Sequence, residues 1–188
     1  MKMKYTLYLV VVFLLLSSFQ QLKYVKTKVN DDITLSLPQD FTVMSPEDLS
    51  RNYLSSKEPL AAYTDYSRTV NLGINIAYSR WNEEDLEIMT SFYKSNIMQL
   101  YDEVQFITEE IKEINGKEFA IFEFIASVTD DDGTTITQSA ISKYVRIEYT
   151  IVNQKTLLFN FTCPARQREK WAPISREILE SVKISKTL

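Results

Sequence analysis

The amino-acid sequence predicts an α+β fold in which a single, mainly antiparallel β-sheet carries helices packed on its faces. Two observations support this prediction. Strand-like runs of alternating apolar and polar residues follow one another along the chain, often separated only by a turn signal. Three segments with helical character lie between or after them, and each must bury its apolar stripe on a face of the sheet.

The first elements are short. Residues 24–29 are polar and charged and form either a lead-in or a first edge strand, whereas residues 33–37 alternate cleanly and stop at a proline. Ser45 provides a hydroxyl cap for a short helix that has Pro46 at its first position. This helix is predicted to end before Pro59.

The middle of the chain predicts two strands and a longer helix. Residues 60–65 and 69–78 form the strands, and the second has apolar side chains on one face and polar or small ones on the other. Asn82 caps a helix that runs to about Tyr101. The apolar stripe of this helix, at spacings of three and four, consists of Leu86, Met89, Tyr93, Ile97 and Leu100.

A four-strand meander is predicted next. Strands at 104–114 and 117–129 flank Asn115-Gly116, the strongest short hairpin signal. The strand at 117–129 is apolar on both faces, which predicts a position in the middle of a sheet covered on both sides. The remaining predicted elements are strands at 134–152 and 155–163, a helix at 166–181 and a short last strand at 182–184.

The last helix contains two informative residues. Pro173 either kinks the helix or begins its second half. Trp171 is the only large aromatic residue within it, and we expect this side chain to pack on the sheet and anchor the helix.

The N-terminus predicts export across a membrane. Lys2 and Lys4 precede an apolar stretch at 7–16, and two serines follow it, which is the pattern of a secretory signal peptide. We therefore interpret residues 1–20 as a signal peptide and residues 21–188 as a single domain.

An uncleaved anchor is the alternative for this segment. Residues 5–22 carry no charge, and a stretch of about eighteen such residues is where a membrane-spanning helix becomes possible. Gln20 and Gln21 make its last turn poorly apolar, and no cysteine follows that would accept a bacterial lipoprotein anchor. In both cases we expect the protein outside the cytoplasm, in the periplasm or cell envelope, with membrane contact only through this segment.

The composition argues against several classes of function. The net charge is −4 with a pI near 5.0, so binding to nucleic acid is not expected. The chain has no histidine, the commonest general base and metal ligand. The only cysteine, Cys163, lies in an apolar strand-like run and is predicted to be buried. The three glycines are isolated and form no phosphate-binding loop.

Two short motifs resemble catalytic or metal sites. Ser91 and Lys94 match the Ser-x-x-Lys pattern of serine acyl-transferases, but they lie on the polar face of a predicted helix and no Lys-Thr-Gly follows. Residues 130–133, Asp-Asp-Asp-Gly, lack the further acids of an EF-hand loop and are interpreted as a solvated hairpin tip. The sequence therefore predicts no catalytic, cofactor-binding or metal-binding residues, although a carboxylate pair assembled only by the fold stays open.

Two further features have structural interpretations. Residues 160–162, Asn-Phe-Thr, form a glycosylation sequon inside a predicted core strand and are interpreted as accidental. Tyr63, Tyr66, Tyr144 and Tyr149 are predicted to pack partly buried on the sheet, with a recognition surface as the alternative.

Three stretches, together with the order of elements, indicate a known fold. They are residues 33–41 (Ile-Thr-Leu-Ser-Leu-Pro-Gln-Asp-Phe), residues 158–164 (Leu-Phe-Asn-Phe-Thr-Cys-Pro), and Trp171-Ala-Pro173 leading to residues 178–184. This pattern resembles the PsbP-like fold, a group that is named for a subunit of the photosynthetic oxygen-evolving complex and includes the Ran-binding Mog proteins. The resemblance implies an α/β/α sandwich and a tendency toward non-enzymatic protein binding, and it supplies no site residues.

These observations together predict an exported, non-enzymatic accessory or protein-binding module at the cell envelope, with a protein partner that the sequence does not identify. One alternative is a hydrolase with a dispersed carboxylate site. Another is a carrier of a small ligand that uses a pocket between the sheet and a helix. No cofactor is implied by any of the motifs.

Overall fold

The computed structural model describes residues 22–53, 58–129, 140–185 and 188. Its strands are β1 (Tyr24–Lys28), β2 (Ile33–Pro38), β3 (Thr42–Val43), β4 (Ala61–Thr64), β5 (Asn71–Tyr78), β6 (Glu103–Ile114), β7 (Lys117–Thr129), β8 (Ala140–Val152), β9 (Lys155–Pro164) and β10 (Lys183–Ile184). Its α-helices are α1 (Pro46–Asn52), α2 (Leu86–Leu100) and α3 (Arg168–Glu180). Single 3₁₀ turns, Glu83–Asp85 and Ala165–Gln167, precede α2 and α3.

The predicted signal peptide or anchor and the acidic hairpin tip at 130–133 lie outside the described residues. The part of the predicted strand 134–152 that precedes Ala140 also lies outside them. None of the helices in the described part of the chain is long and apolar enough to cross a membrane.

Seven strands form one antiparallel sheet in the order β3-β4-β5-β9-β8-β7-β6. The predicted meander forms more than half of it, because β6, β7, β8 and β9 pair in succession. Asn115 and Gly116 make the predicted hairpin turn with positive φ angles of 50° and 82°, which asparagine and glycine tolerate. Asn153 and Gln154 make the turn between β8 and β9 in the same way, with φ angles of 50° and 60°.

The other three strands form a second antiparallel sheet in the order β1-β2-β10. The predicted α+β class with antiparallel strands and helices on the sheet faces is confirmed, but the strands are divided between two sheets instead of forming the single sheet expected. β2 pairs with β1 on one edge and with β10 on the other, so it has no free edge for the larger sheet. Alternation shows which side chains face the core, but it does not show which strand edges pair.

Two hydrophobic cores lie on opposite faces of the seven-stranded sheet. The first joins this sheet to the three-stranded sheet and α3, and the second joins it to α2. As predicted, β7 supplies apolar side chains to both cores: Phe119 and Ile121 belong to the first, and Phe122 and Phe124 to the second.

The helix α3 is anchored in the first core by Trp171, as predicted. The tryptophan is 3% exposed, and its ring centroid lies 5.8 Å from that of Phe41 and 6.1 Å from that of Phe161. The helix continues through Pro173 without interruption. After it, the backbone N–H of Ser36 in β2 donates to Ser181 Oγ (2.7 Å), which ties the end of α3 to the three-stranded sheet.

The helix α2 buries most of its predicted stripe. Leu86, Met89 and Ile97 are buried, and Tyr93 is half-buried against the second core. Leu100, the last residue of the predicted stripe, is instead 71% exposed. The helix ends there, and the following Tyr101 takes up the contact with the core, with its ring centroid 5.9 Å from that of Phe124.

Candidate functional site

Ser91 and Lys94 do not form a serine–lysine pair. Ser91 Oγ donates to the backbone carbonyl of Glu87 within the helix (3.3 Å). Lys94 Nζ lies 2.5 Å from Glu109 Oε2 and 5.4 Å from the centre of the Phe106 ring. The two side chains therefore bond to different neighbours on a partly exposed surface, and nothing in this arrangement activates the serine.

The single thiol and three of the four tyrosines considered above are buried. Cys163 is 2% exposed, and burial raises the pKa of its thiol to about 12, so it is not a reactive thiolate at neutral pH. Tyr63, Tyr144 and Tyr149 are at most 6% exposed and pack in the cores, whereas Tyr66 is 90% exposed. The interpretation as sheet-packing residues therefore holds for three of these tyrosines. Across the described ranges, no group of three or more acids and cysteines could hold a metal ion.

A buried cluster of charges lies beneath α3, and no sequence motif predicts it. Glu123 on β7 and Arg146 on β8 are direct register partners, and Glu148 follows two residues later on the same face of β8. Arg146 donates to Glu148 Oε1 (2.9 Å) and to Glu123 Oε2 (3.1 Å). Arg176 on α3 covers the cluster and donates to both carboxylate oxygens of Glu123, at 2.9 and 3.1 Å.

This cluster brings together two carboxylates from different strands, as a dispersed hydrolase site would require, but its geometry does not suit hydrolysis. Glu123 and Glu148 are fully buried and Arg146 is 2% exposed, so no substrate reaches them. Arg146 holds both acids in hydrogen bonds, and the one oxygen that it leaves unpaired, Glu148 Oε2, is buried and cannot reach a substrate. We interpret the cluster as the polar joint between α3 and the large sheet.

Within this joint, Glu148 has a carboxylate oxygen without a hydrogen-bond partner. Its Oε2 is buried and accepts no hydrogen bond from the described residues. Burial, only partly offset by Arg146, raises the pKa of the Glu148 carboxyl to about 7. The group therefore changes charge near neutral pH inside the fold, which is a property of the joint and not of an accessible site.

An open groove lies on the opposite face of the large sheet. Its volume is about 330 Å³, a size that small ligands occupy in proteins. Asn71 on β5 and Asn160 and Thr162 on β9 line its floor. The strand register pairs Asn71 with Thr162 and Gly73 with Asn160, so four small or polar residues form a compact square in the middle of a sheet whose other positions are mostly apolar.

The walls of the groove come from the ends of two helices and from the neighbouring strands. Asn52 and Tyr53 stand at the end of α1, and Tyr101 follows α2. The remaining lining residues are Ala126, Ile141 and Lys143. Burial raises the pKa of both tyrosines, that of Tyr53 to about 12, so their hydroxyls stay neutral and can donate as well as accept hydrogen bonds.

Two contacts explain how the floor and the wall fit together. Asn71 Nδ2 donates to Asn52 Oδ1 (2.8 Å), which links β5 to the end of α1. Tyr53 lies directly over Gly73, since a Cβ atom at that glycine would stand 2.1 Å from the tyrosine hydroxyl oxygen. A side chain at position 73 would therefore displace this wall of the groove.

The sequence contains a signal for this groove. The strand 69–78 has a polar face, and residues 160–162 form the glycosylation sequon. The structure places Asn71, Asn160 and Thr162 together, because β5 and β9 are neighbours in the sheet although they are distant in the chain. Asn160 is half-buried in a central strand, which supports the interpretation of the sequon as accidental.

A second exposed feature lies near the start of α2. Ile88 is 64% exposed and Phe92, one turn later, is 50% exposed. The Phe92 ring centroid lies 5.9 Å from that of Trp81, which precedes the helix. We call Trp81, Ile88 and Phe92 the α2 outer surface, and its exposed neighbours include the acids Glu83, Glu84 and Glu87.

Comparison with known proteins identifies the fold. No protein-family model matches the chain, and a sequence search of curated proteins gives no match either. The solution structure of cyanobacterial PsbP (CyanoP) from Synechocystis sp. PCC 6803 matches with a TM-score of 0.57 and 10% identity, over 89% of this chain and 96% of that one. The Saccharomyces cerevisiae Ran-binding protein Mog1p matches with a TM-score of 0.56 and 9% identity, over 89% and 98%. The chain has the PsbP/Mog1 fold.

A third structure with the PsbP/Mog1 fold comes from a bacterial envelope system. LpqN, involved in cell envelope biogenesis of Mycobacterium tuberculosis, matches with a TM-score of 0.57 and 10% identity, over 88% of this chain and 92% of that one. The resemblance inferred from the sequence is thus confirmed for the fold. At such low identity the likeness establishes the fold alone, because one fold can carry many functions.

Proposed function

We propose that this protein is an exported, non-enzymatic accessory module of the cell envelope that binds a protein partner through the α2 outer surface. The observation that carries the proposal is the exposure of two large apolar side chains, Ile88 and Phe92, on a helix whose opposite face packs in the second core, with the half-buried Trp81 beside Phe92. A contiguous exposed apolar patch with a polar rim is typical of protein interaction sites.

The chemistry of the surface suits a protein partner. Aromatic side chains dominate binding energy at protein interfaces because they bury a large area and lose little conformational freedom. The Phe92 ring contacts the rings of Trp81 and Tyr93, with centroid distances of 5.9 and 5.3 Å. The surface is therefore partly preorganised, which lowers the entropic cost of binding.

The charges around this surface indicate what the partner carries. Glu84 and Glu87 are exposed beside the apolar cluster, and Glu83 forms only a long contact of 3.8 Å with Lys117. A partner with an apolar centre and a basic rim would complement this arrangement and associate faster at low ionic strength. The net charge of −4 also favours association with a basic partner.

Three observations support the remaining parts of the proposal. The N-terminal pattern of residues 1–20 is that of an export signal. LpqN, which has the same fold, is involved in cell envelope biogenesis. Ser91 and Lys94 bond to different neighbours, and the carboxylates of Glu123 and Glu148 are inaccessible, which favours binding over catalysis.

Site-specific crosslinking tests the interaction. A photoreactive residue would replace Ile88 in the full chain in its native host, and Val43, which is 72% exposed on the edge strand β3, would serve as the matched exposed control position. We expect one dominant protein crosslink from position 88 and none from position 43. The crosslinked protein would then be identified, purified and titrated with the wild type and with Ile88→Ser, Phe92→Ser and Val43→Ser.

The titration decides the proposal. We expect Ile88→Ser and Phe92→Ser to weaken binding by about fivefold or more, since truncation of a central interface residue that carries binding energy costs over about 1 kcal/mol. Val43→Ser should leave the affinity unchanged. Equal crosslinking from both positions, or unchanged affinity of both α2 variants, would rule out the α2 outer surface as the docking site.

Export is tested separately by cell fractionation and intact-mass measurement of the native protein. If residues 1–20 are a signal peptide, the exported protein lacks about its first twenty residues. A full-length mass in the membrane fraction would establish the uncleaved anchor. A full-length protein in the cytoplasm would contradict the envelope location.

A further inference from the structure

We propose that the groove between α1 and α2 binds a neutral, polyhydroxylated small molecule, namely a sugar unit. This site is distinct from the α2 outer surface. The groove lies beyond the C-terminal end of α2, at Tyr101, whereas Trp81, Ile88 and Phe92 lie at its N-terminal half. The two proposals can therefore fail or succeed independently.

The first argument is the unmet hydrogen-bonding capacity of the groove floor. The carbonyl oxygens of the Asn71 and Asn160 side chains are buried and accept no hydrogen bond from the described residues. A buried acceptor without a donor costs roughly 1–3 kcal/mol. Rotation of the Asn160 amide about its last bond would present its oxygen to a ligand hydroxyl in the groove, which would supply the missing donor, whereas the Asn71 amide is held by its bond to Asn52.

The second argument is that the lining excludes other classes of ligand. An apolar molecule would leave the side-chain oxygens of Asn71 and Asn160 without a donor, which is unfavourable for buried acceptors. A metal ion would need carboxylate or similar ligands, and the lining residues in the described part of the chain include no acid. An anion would find one cationic side chain, that of Lys143, which is exposed.

The third argument is that the lining matches the two sides of a sugar. A sugar ring has hydroxyls at its edge, each of which donates and accepts, and amide and hydroxyl side chains do the same. Asn71, Asn160 and Thr162 present such groups on the floor. A sugar ring also has apolar C–H faces, and the rings of Tyr53 and Tyr101 offer apolar walls with neutral hydroxyls.

The test uses NMR titration of the ¹⁵N-labelled full-length protein with glucose, galactose, mannose and N-acetylglucosamine in separate samples. Sodium phosphate and sodium acetate serve as anion probes. We expect saturable shifts of the side-chain amide signals of Asn71 and Asn160 with at least one sugar and not with the anions. A second sample set compares Thr162→Val with Thr27→Val, the same substitution at a half-exposed threonine on β1, outside the groove.

The variants make the outcome specific. Asn160→Leu removes both polar atoms from the floor and should weaken sugar binding by at least about tenfold, which corresponds to roughly 1.4 kcal/mol. Thr162→Val keeps the shape and removes one hydroxyl, so it should weaken binding by a smaller factor and still fold. Thr27→Val should bind as the wild type does.

Three results would overturn the inference. The first is the absence of saturable shifts with all four sugars. The second is saturable binding of phosphate or acetate in place of the sugars, which would mark the groove as an anion site at Lys143. The third is sugar binding that Asn160→Leu and Thr162→Val leave unchanged, which would place the sugar elsewhere on the molecule.

Discussion

The two faces of the seven-stranded sheet are built differently. One face is covered by α3 and the three-stranded sheet, and even its charged residues are closed off, with Glu123, Arg146 and Glu148 at most 2% exposed. The other face is covered by α2 and the end of α1 over part of its area only. There the sheet leaves a groove above Asn71 and Asn160, and the helix leaves Ile88 and Phe92 in solvent.

The closed face contributes mainly to stability, whereas the incompletely covered face is available for recognition. A closed face with interlocked side chains tolerates little change, because truncation there creates a cavity or an unpaired charge. An incompletely covered face can lose or gain side chains at small cost to folding, and its exposed groups are available for binding. Substitutions on the two faces should therefore differ strongly in their effect on the free energy of unfolding.

The largest effect is expected for Trp171→Ala on the closed face. The side chain is 3% exposed and contacts Phe41 and Phe161, so its removal leaves a large cavity under α3. We expect a loss of about 3–5 kcal/mol in the free energy of unfolding, measured by denaturant titration. A shift of the midpoint near zero would mean that the closed face does not depend on this anchor.

The next effect concerns pH and tests the polar joint of the same face. The pKa of Glu148 is raised from 4.5 to about 7 in the folded protein, so the folded state binds more protons than the unfolded state between these values. The contribution of this group to stability is therefore fully present below about pH 4.5, falls as the pH rises to about 7, and is constant above that. The total change is about 3 kcal/mol.

Glu148→Gln is the variant that isolates the contribution of Glu148 ionisation to stability. It removes the ionisation and keeps the shape, so it should flatten the decline in stability between pH 5 and 7 and be more stable than the wild type at pH 8, by about 1–3 kcal/mol. Denaturant titrations at several pH values measure both effects. Identical pH profiles for the two proteins would show that Glu148 is ionised in the folded state at all these pH values.

A smaller effect is expected for Gly73→Ala at the groove. A Cβ atom there would lie 2.1 Å from the Tyr53 hydroxyl oxygen, so the tyrosine must move out of the wall. We expect a destabilisation of about 1–3 kcal/mol, typical of overpacking. If sugar binds in the groove, its affinity should also fall. The stability is measured by denaturant titration and the position of Tyr53 by its NMR signal. Wild-type stability with an unchanged Tyr53 NMR signal would contradict the expected overpacking at this wall.

The closed face also shows what could not be predicted from sequence. The hairpin at Asn115-Gly116, the strand that is apolar on both sides and the anchoring role of Trp171 follow from local periodicity and turn chemistry, and the structure confirms them. On β8, however, Arg146 and Glu148 alternate with apolar residues, a pattern that favours a solvated polar face. Their burial depends on charge partners from β7 and α3, which periodicity does not reveal.

The groove shows a related limit. The polar face of β5 was visible in the sequence, but the pairing of Asn71 with Thr162 and of Gly73 with Asn160 joins residues about ninety positions apart. Its walls also depend on where α1 and α2 end. The division of the strands into two sheets has the same origin, because β10 reaches β2 only through the path of α3. Local signals thus define elements, and long-range pairing defines the candidate site.

The smallest effect is expected on the open face, for Ile88→Ser on the α2 outer surface. Ile88 is 64% exposed, and serine and isoleucine have similar helix propensities, so the free energy of unfolding should change by no more than about 0.5 kcal/mol. Ile97→Ser is the matched control on the same helix, since Ile97 is 2% exposed in the second core and its loss should cost about 2–5 kcal/mol. Denaturant titration of both variants measures the contrast. A cost above about 1.5 kcal/mol for Ile88→Ser would show that this side chain contributes to folding. In that case its exposure could not be assigned to partner binding, whereas a negligible cost leaves recognition as the reason for a large apolar residue in solvent.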